Sequence, residues 1–187
     1  MISYVVDPSG LVLVSTVDRN VAFGPPLLPS GRRGAFRDMV SRWQPLVDQV
    51  GTDFRLPSSL LFGIMWAESN GNPNAQHRNA NGTIDAGIMQ INQVNWRGNT
   101  LAAMLVPETN MKIAGEILRA AQAGFRDLPQ VASEYNAGHK PDGSPYTNAD
   151  RPAIATRWGY AAGPGYIDTV VAASNTFLQD FALGKVS

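Results

Sequence analysis

The sequence predicts a mainly α-helical domain over residues 31–187, preceded by a β-hairpin arm and linker over residues 1–30. Three observations predict it. Apolar residues recur at three- and four-residue steps from Phe36 onward, which is one face of a helix. A short β-branched run folds back on itself around Asp7-Pro8-Ser9-Gly10. A stretch dense in Pro and Gly separates the two. At 187 residues, 44% hydrophobic and 16% charged, the chain can bury a core without staples and is too apolar for extended disorder.

The hairpin is expected to run from Ile2 to Val6 and from Leu11 to Ser15, with Pro8 presetting φ in the turn and Gly10 tolerating left-handed geometry at its end. A lone hairpin is marginal in water, so it must pack on the chain or on a partner. Gly24-Pro25-Pro26-Leu27-Leu28-Pro29-Ser30-Gly31 reads as an extended linker. The first helix carries Phe36, Met39, Val40, Trp43, Leu46, Val47 and Val50 on one face, and Pro45 implies a kink or a break. A second helix starts at Pro57-Ser58-Ser59, which offers caps, continues through Leu60, Leu61, Ile64, Met65 and Ala67, and stops near Ser69-Asn70-Gly71. A third begins around Pro107-Glu108-Thr109, with Ile113, Ile117, Leu118 and Ala121 inside. Two more fit Leu128 to Asn136 and Gly165 to Phe181. The loops at 70–86 and 137–163 are long enough to suggest function.

Composition narrows the chemistry. Fifteen Lys plus Arg balance fifteen Asp plus Glu, and no basic run exceeds Arg32-Arg33, which excludes the basic surface that nucleic acid requires. Cysteine is absent and His77 and His139 stand 62 positions apart, so no disulfide framework, thiol nucleophile or zinc spacing exists. No metal or cofactor is expected. No apolar run approaches the roughly 18 residues that cross a membrane. The work falls to carboxylates, hydroxyls and amides, and among the acids eleven are Asp but only four are Glu, at 68, 108, 116 and 134.

Glu68 stands out among the four. It lies four residues after Ile64 and seven after Leu61, so helical geometry turns its carboxylate toward the apolar face. Desolvation there favours the protonated form and raises the pKa, which makes a general acid near neutral pH. The competing reading is a last-turn Glu that swings out to solvent. Glu108 suits a helix dipole in a first turn, Glu116 sits between Lys112 and Arg119 on a polar face, and Glu134 is ambiguous.

Glu68-Ser69, Gly87-Ile88-Met89-Gln90 and Tyr135-Asn136-Ala137-Gly138 follow one another in an order and at separations that resemble the three signature motifs of the soluble lytic transglycosylase family, relatives of goose-type lysozyme. Asn110, after Pro107-Glu108-Thr109, resembles that family's Pro-x-x-Asn-Ile helix start, and the loop from Asn79 to Asn92 is similar to the small transglycosylases of secretion machinery. The resemblance covers residues 57–170. It implies a lysozyme-like helical domain with a small β element at 72–86, and cleavage of the β-1,4 bond between N-acetylmuramic acid and N-acetylglucosamine in peptidoglycan. Glu68 would act first as acid and then as base toward the C6 hydroxyl, leaving a 1,6-anhydro sugar.

The same resemblance implies a substrate-binding set. Gln90 and Asn136 would offer amides to the sugar, Tyr135 a ring and a hydroxyl, Met89 the floor, and Gly87 close backbone approach. Ser69 orients the loop or is an ordinary helix-end hydroxyl; Tyr166 closes the cleft over Glu68 or is a core aromatic; Asn136 is alternatively a helix cap. Goose-type lysozymes carry an aspartate just after their Met-Gln-x segment to place water, where this chain has Asn92. That favours the transglycosylase. Asp85 keeps a hydrolytic muramidase open as a second carboxylate, its alternative being an Asx-type turn before Gly87. A glycan-binding protein without activity is the reading from another class. Expected partners are peptidoglycan strands and, through residues 1–30, a virion or secretion assembly. Since no signal peptide is visible, the expected setting is a phage protein acting in the periplasm or cell wall, virion-associated or released by a holin, the alternative being a mature fragment.

Overall fold

The computed structural model describes residues 2–6, 12–16, 27–124, 127–138, 143–144 and 165–182, apart from the side chains of 2–6, 12–16, 181 and 182. Strands β1 (Ile2–Val6) and β2 (Val12–Thr16) form the expected hairpin, antiparallel, with Ile2 opposite Thr16 and Val6 opposite Val12. Most of the loop at 137–163, singled out as a functional candidate, lies outside the described residues.

Helix α1 (Ser30–Phe54) is one unbroken 25-residue helix that continues through Pro45. A proline forfeits one donor and crowds one carbonyl; here its side chain is exposed, and burial of Phe36, Met39, Val40, Val47 and Val50 holds both halves to the core. Neither the expected break nor a second helix results. Leu28, expected in the linker, packs into the core and donates its N–H to Thr176 Oγ1 at 2.9 Å.

Helix α2 (Ser58–Ser69) keeps its expected bounds, but it is no amphipathic surface helix. Every residue from Ser59 to Trp66 is buried, the mark of a helix surrounded on all sides. Its start is uncapped by side chains, because Pro57 holds the N-cap position and has no side-chain acceptor to offer; Ser58, already inside the helix, donates its Oγ to Asp48 Oδ1 at 3.2 Å. A three-stranded antiparallel sheet follows, β3 (Gln76–Arg78), β4 (Ile84–Ala86) and β5 (Ile91–Asn92), in that order. The turn between β3 and β4 closes through Asn79 N to Thr83 O at 2.8 Å and Gly82 N to Asn79 O at 2.9 Å.

Two short pieces had no periodic signal: a 3-10 turn at Gln93–Asn95 and helix α3 (Leu101–Met104), capped by Thr100. Buried Trp96 anchors the first by donating to Ile91 O at 2.7 Å. Helix α4 (Pro107–Gly124) buries Ile113, Leu118 and Ala121 as expected, with Glu108 in its first turn. Helix α5 (Leu128–Ala137) is capped by Asp127, whose carboxylate accepts from Gln130 N at 2.8 Å. Helix α6 (Tyr166–Ala182) lies along α2 and completes the core. Among the described residues no helix is long and apolar enough to cross a membrane.

Candidate active site

Glu68 occupies the last turn of α2, just before Asn70 ends the helix in the left-handed conformation at φ 53°. The carboxyl is half-buried, and Tyr166 Oη at the start of α6 donates to its Oε1 at 2.6 Å. Burial pushes the Glu68 carboxyl up from 4.5 to about 8; the Tyr166 hydrogen bond pulls the other way, and the negative charge of Asp85 adds to the rise. The carboxyl is therefore held mainly protonated near neutral pH. Residues Ser59 to Trp66 of α2 are buried on every side, and Glu68 follows them in the last, half-buried turn, where Tyr166 meets its carboxyl.

Gly87 to Gln90 form a tight turn facing that helix end, and their polar groups are nearly all committed. Gly87 N donates to Ala75 O at 2.9 Å and Gln90 N to Gly87 O at 3.1 Å. Ser69 Oγ donates to Ile88 O at 2.7 Å while accepting from Gly71 N at 3.1 Å. Met89 N donates to Asn110 Oδ1 at 2.8 Å, and Met89 O accepts from Tyr135 Oη at 2.8 Å. Burial, followed by the charges of Glu68 and Asp85, pushes the Tyr135 hydroxyl well above its usual range, so it remains a donor.

Several sequence expectations change here. Ser69 orients the loop, its hydroxyl being tied to backbone on both sides. The Met89 side chain is fully buried in the core. Gln90 Nε2 donates to Ala75 O at 2.9 Å and Gly87 O at 2.8 Å, which holds a non-glycine residue at φ 45°; that donor is not offered to a sugar. Gly87, at φ 82°, is needed for approach to the protein itself: a Cβ there would stand 2.3 Å from both Asn110 Nδ2 and Met104 O. Asn136 is half-buried in the last turn of α5, but Gly138 closes that helix, so the cap reading falls.

Asp85 sits on β4 opposite His77 and Asn92, and His77 is exposed. Both Asp85 oxygens accept side-chain amides, Oδ1 from Asn92 Nδ2 at 2.7 Å and Oδ2 from Asn79 Nδ2 at 3.0 Å. No Asx turn forms before Gly87, whose N–H bonds Ala75. Asn92 also caps the 3-10 turn, its Oδ1 accepting from Val94 N at 3.2 Å.

Asn110 is the residue that sequence reasoning undervalued. Fully buried, it accepts from Met89 N and donates to Ala86 O at 2.8 Å and Met104 O at 3.0 Å, so one amide stitches the motif turn to β4 and α3. Its position in Pro-Glu-Thr-Asn was the available signal. Trp43 and Arg32 of α1 hold the other side of the site, donating to Gly71 O at 3.0 Å and Asn70 Oδ1 at 3.1 Å. Among the described residues no three His, Asp or Glu gather as metal ligands.

A family model described as "Transglycosylase SLT domain" matches residues 45–158, more than half of the chain, including α2, the three-stranded sheet, the Gly87–Gln90 turn, α4 and α5. No curated protein matches the chain. With a mainly helical lysozyme-like fold and a glutamate at the end of its central helix facing that turn, the chain belongs to the transglycosylase SLT domain family, whose substrate is peptidoglycan.

Proposed function

We propose that the protein is a lytic transglycosylase that cleaves the β-1,4 bond between N-acetylmuramic acid and N-acetylglucosamine, with Glu68 as its single acid and base. One observation carries this reading: a half-buried glutamate whose carboxyl is held protonated near neutral pH and hydrogen-bonded by Tyr166. In the first step Glu68 gives its proton to the bridging oxygen, the C1–O bond of the muramic sugar breaks, and N-acetylglucosamine leaves with a free hydroxyl. The substrate's own acetamido oxygen bonds C1 and carries the positive charge. Glu68, now a carboxylate steadied by Tyr166, takes the C6 hydroxyl proton; O6 bonds C1 as the acetamido oxygen departs. No water is consumed, and Glu68 ends protonated.

Hydrolysis needs a second carboxylate to place water. Asn92 is an amide in that position, and Asp85 is the nearest substitute, but amide donors fix both its oxygens. This supports an electrostatic role for Asp85 beside Glu68 and a 1,6-anhydro product. Mass spectra of digested murein provide the test: anhydromuramic ends are expected, and hydrated ends alone would reject the transglycosylase in favour of a muramidase. Glu68→Gln should abolish clearing of a murein gel. Clearing by the variant would remove Glu68 from the mechanism, and no clearing by either protein would leave a glycan-binding module. As to setting, we propose local opening of the wall by a phage particle or lysis system, with the β1–β2 hairpin as docking arm. Deleting residues 1–26, which spares core residue Leu28, should then abolish particle incorporation while sparing activity on murein, and unchanged incorporation would contradict it.

A further inference from the structure

Helices α2 and α6 run antiparallel, since Glu68 meets Tyr166 at one end of the pair while Ser59 O accepts from Ser174 Oγ at 2.9 Å near the other. Between these contacts the helices touch at Gly63. A Cβ on Gly63 would stand 2.2 Å from Ser174 Oγ, 2.9 Å from Val170 O and 3.2 Å from Val170 Cγ1. Ordinary contact begins near 3.4 Å, so a methyl group there forces the helices apart. Ser174 can rotate away at the loss of its bond to Ser59. The Val170 carbonyl is backbone and cannot.

The far end of α6 is pinned. Thr176 Oγ1 accepts from Leu28 N at 2.9 Å, buried Asp180 pairs with Arg37 at 2.9 Å, and the rings of Phe62 and Phe177 pack 5.0 Å apart. A push at Val170 therefore tips the opposite end of α6, and Tyr166 lies only one helical turn away. We infer that Gly63 is a positioning residue: by letting α6 close onto α2 it sets the distance from the Tyr166 hydroxyl to the Glu68 carboxyl. That 2.6 Å bond tolerates little. A displacement of about 1 Å takes it past the length at which a hydrogen bond survives.

The inference rests on Glu68 as the acid, so its test reads Glu68 directly as well as through activity. Among the described residues, the titratable groups that act on the carboxyl or are acted on by it are Tyr166 from α6, Tyr135 from α5 and Asp85 from β4. With four glutamates in the chain, ¹³C-carboxyl labelling and NMR titration resolve Glu68 individually. Gly63→Ala should raise its titration midpoint by about one pH unit, because the ionised form loses a charge-assisted donor. Tyr166→Phe should do the same, and the double variant should go no further. Ser174→Ala alone leaves Gly63 in place and should leave the midpoint unmoved. Should Gly63→Ala not fold, Gly63→Ala/Ser174→Ala removes the nearest obstacle and leaves Val170 O, giving a smaller rise of the same sign. A folded variant at Gly63 with an unmoved midpoint, or a rise that adds to that of Tyr166→Phe, overturns the inference. Wild-type protein that fails to clear murein would instead sink Glu68 as acid, leaving the titration to decide the crossing.

Discussion

Replacing Asn110 with Ala deletes a buried amide and leaves Met89 N, Ala86 O and Met104 O without that partner. Each buried polar group so stranded costs about 1–3 kcal/mol, and the site is fully buried, with solvent excluded on every side. The three together amount to about 3–5 kcal/mol once relaxation is allowed for, against a total stability of about 5–15 kcal/mol for a domain of this kind. Urea unfolding of wild type and Asn110→Ala measures the difference, read from the midpoint at constant slope. Asn110→Asp separates the hydrogen bonds from mere volume. The new carboxylate still accepts from Met89 N but faces two carbonyl oxygens, so at pH 7 it should be no more stable than Asn110→Ala. Burial raises the folded-state pKa of that carboxyl above its unfolded value, so stability should return as pH falls through the folded pKa, when a hydroxyl can donate to one carbonyl. A loss below about 1 kcal/mol for Asn110→Ala, or a pH-independent Asn110→Asp, would refute the claim that this amide organises the motif turn.

Other outcomes follow from the same geometry. Activity should fall as pH rises through about 8, because Glu68 then loses the proton it donates; in Tyr166→Phe the alkaline limb of the kcat profile should shift upward, since the lost hydrogen bond had lowered the Glu68 pKa. The folded pKa of Glu68 lies above its unfolded value, so its own contribution to stability should be full below about pH 4.5 and decline as pH rises toward 8. Glu68→Gln should lack that decline, which paired denaturation curves at pH 5 and pH 8 would reveal. Gly87→Ala should lose more than about 2 kcal/mol in urea, combining a positive φ with contacts at 2.3 Å to Asn110 and Met104; equal midpoints would show that the turn relaxes freely.

Local pattern decided much of what was readable in advance. Helical spacing placed α1 and α4 because each buries a stripe whose period is a property of the segment alone, and α2, buried on all sides, was still bounded by its Pro57-Ser58-Ser59 start and Asn70-Gly71 stop. Asp127 and Gly138 bracket α5 for equally local reasons. Where a neighbour overrides local preference, the reading failed: Pro45 does not break α1, since burial on both sides outweighs one lost donor, and α3 is too short to show a period. At the site, Glu68 was legible from the scarcity of glutamate, its spacing from Leu61 and Ile64, and the motifs that follow it.

What the sequence by itself determined was the set of longer helices, the candidate acid and the motif residues that face it. Tertiary structure alone decided which atoms those residues present. Ser69, Met89 and Gln90 look from their identities like ligands for sugar, yet they turn a hydroxyl, a thioether and an amide inward to hold the turn. Tyr166 reaches Glu68 across 98 positions, through the crossing of α2 and α6 at Gly63. Periodicity is a short-range property of the chain, whereas a hydrogen bond between distant residues depends on how closely two helices pack, and that is settled only when the core closes.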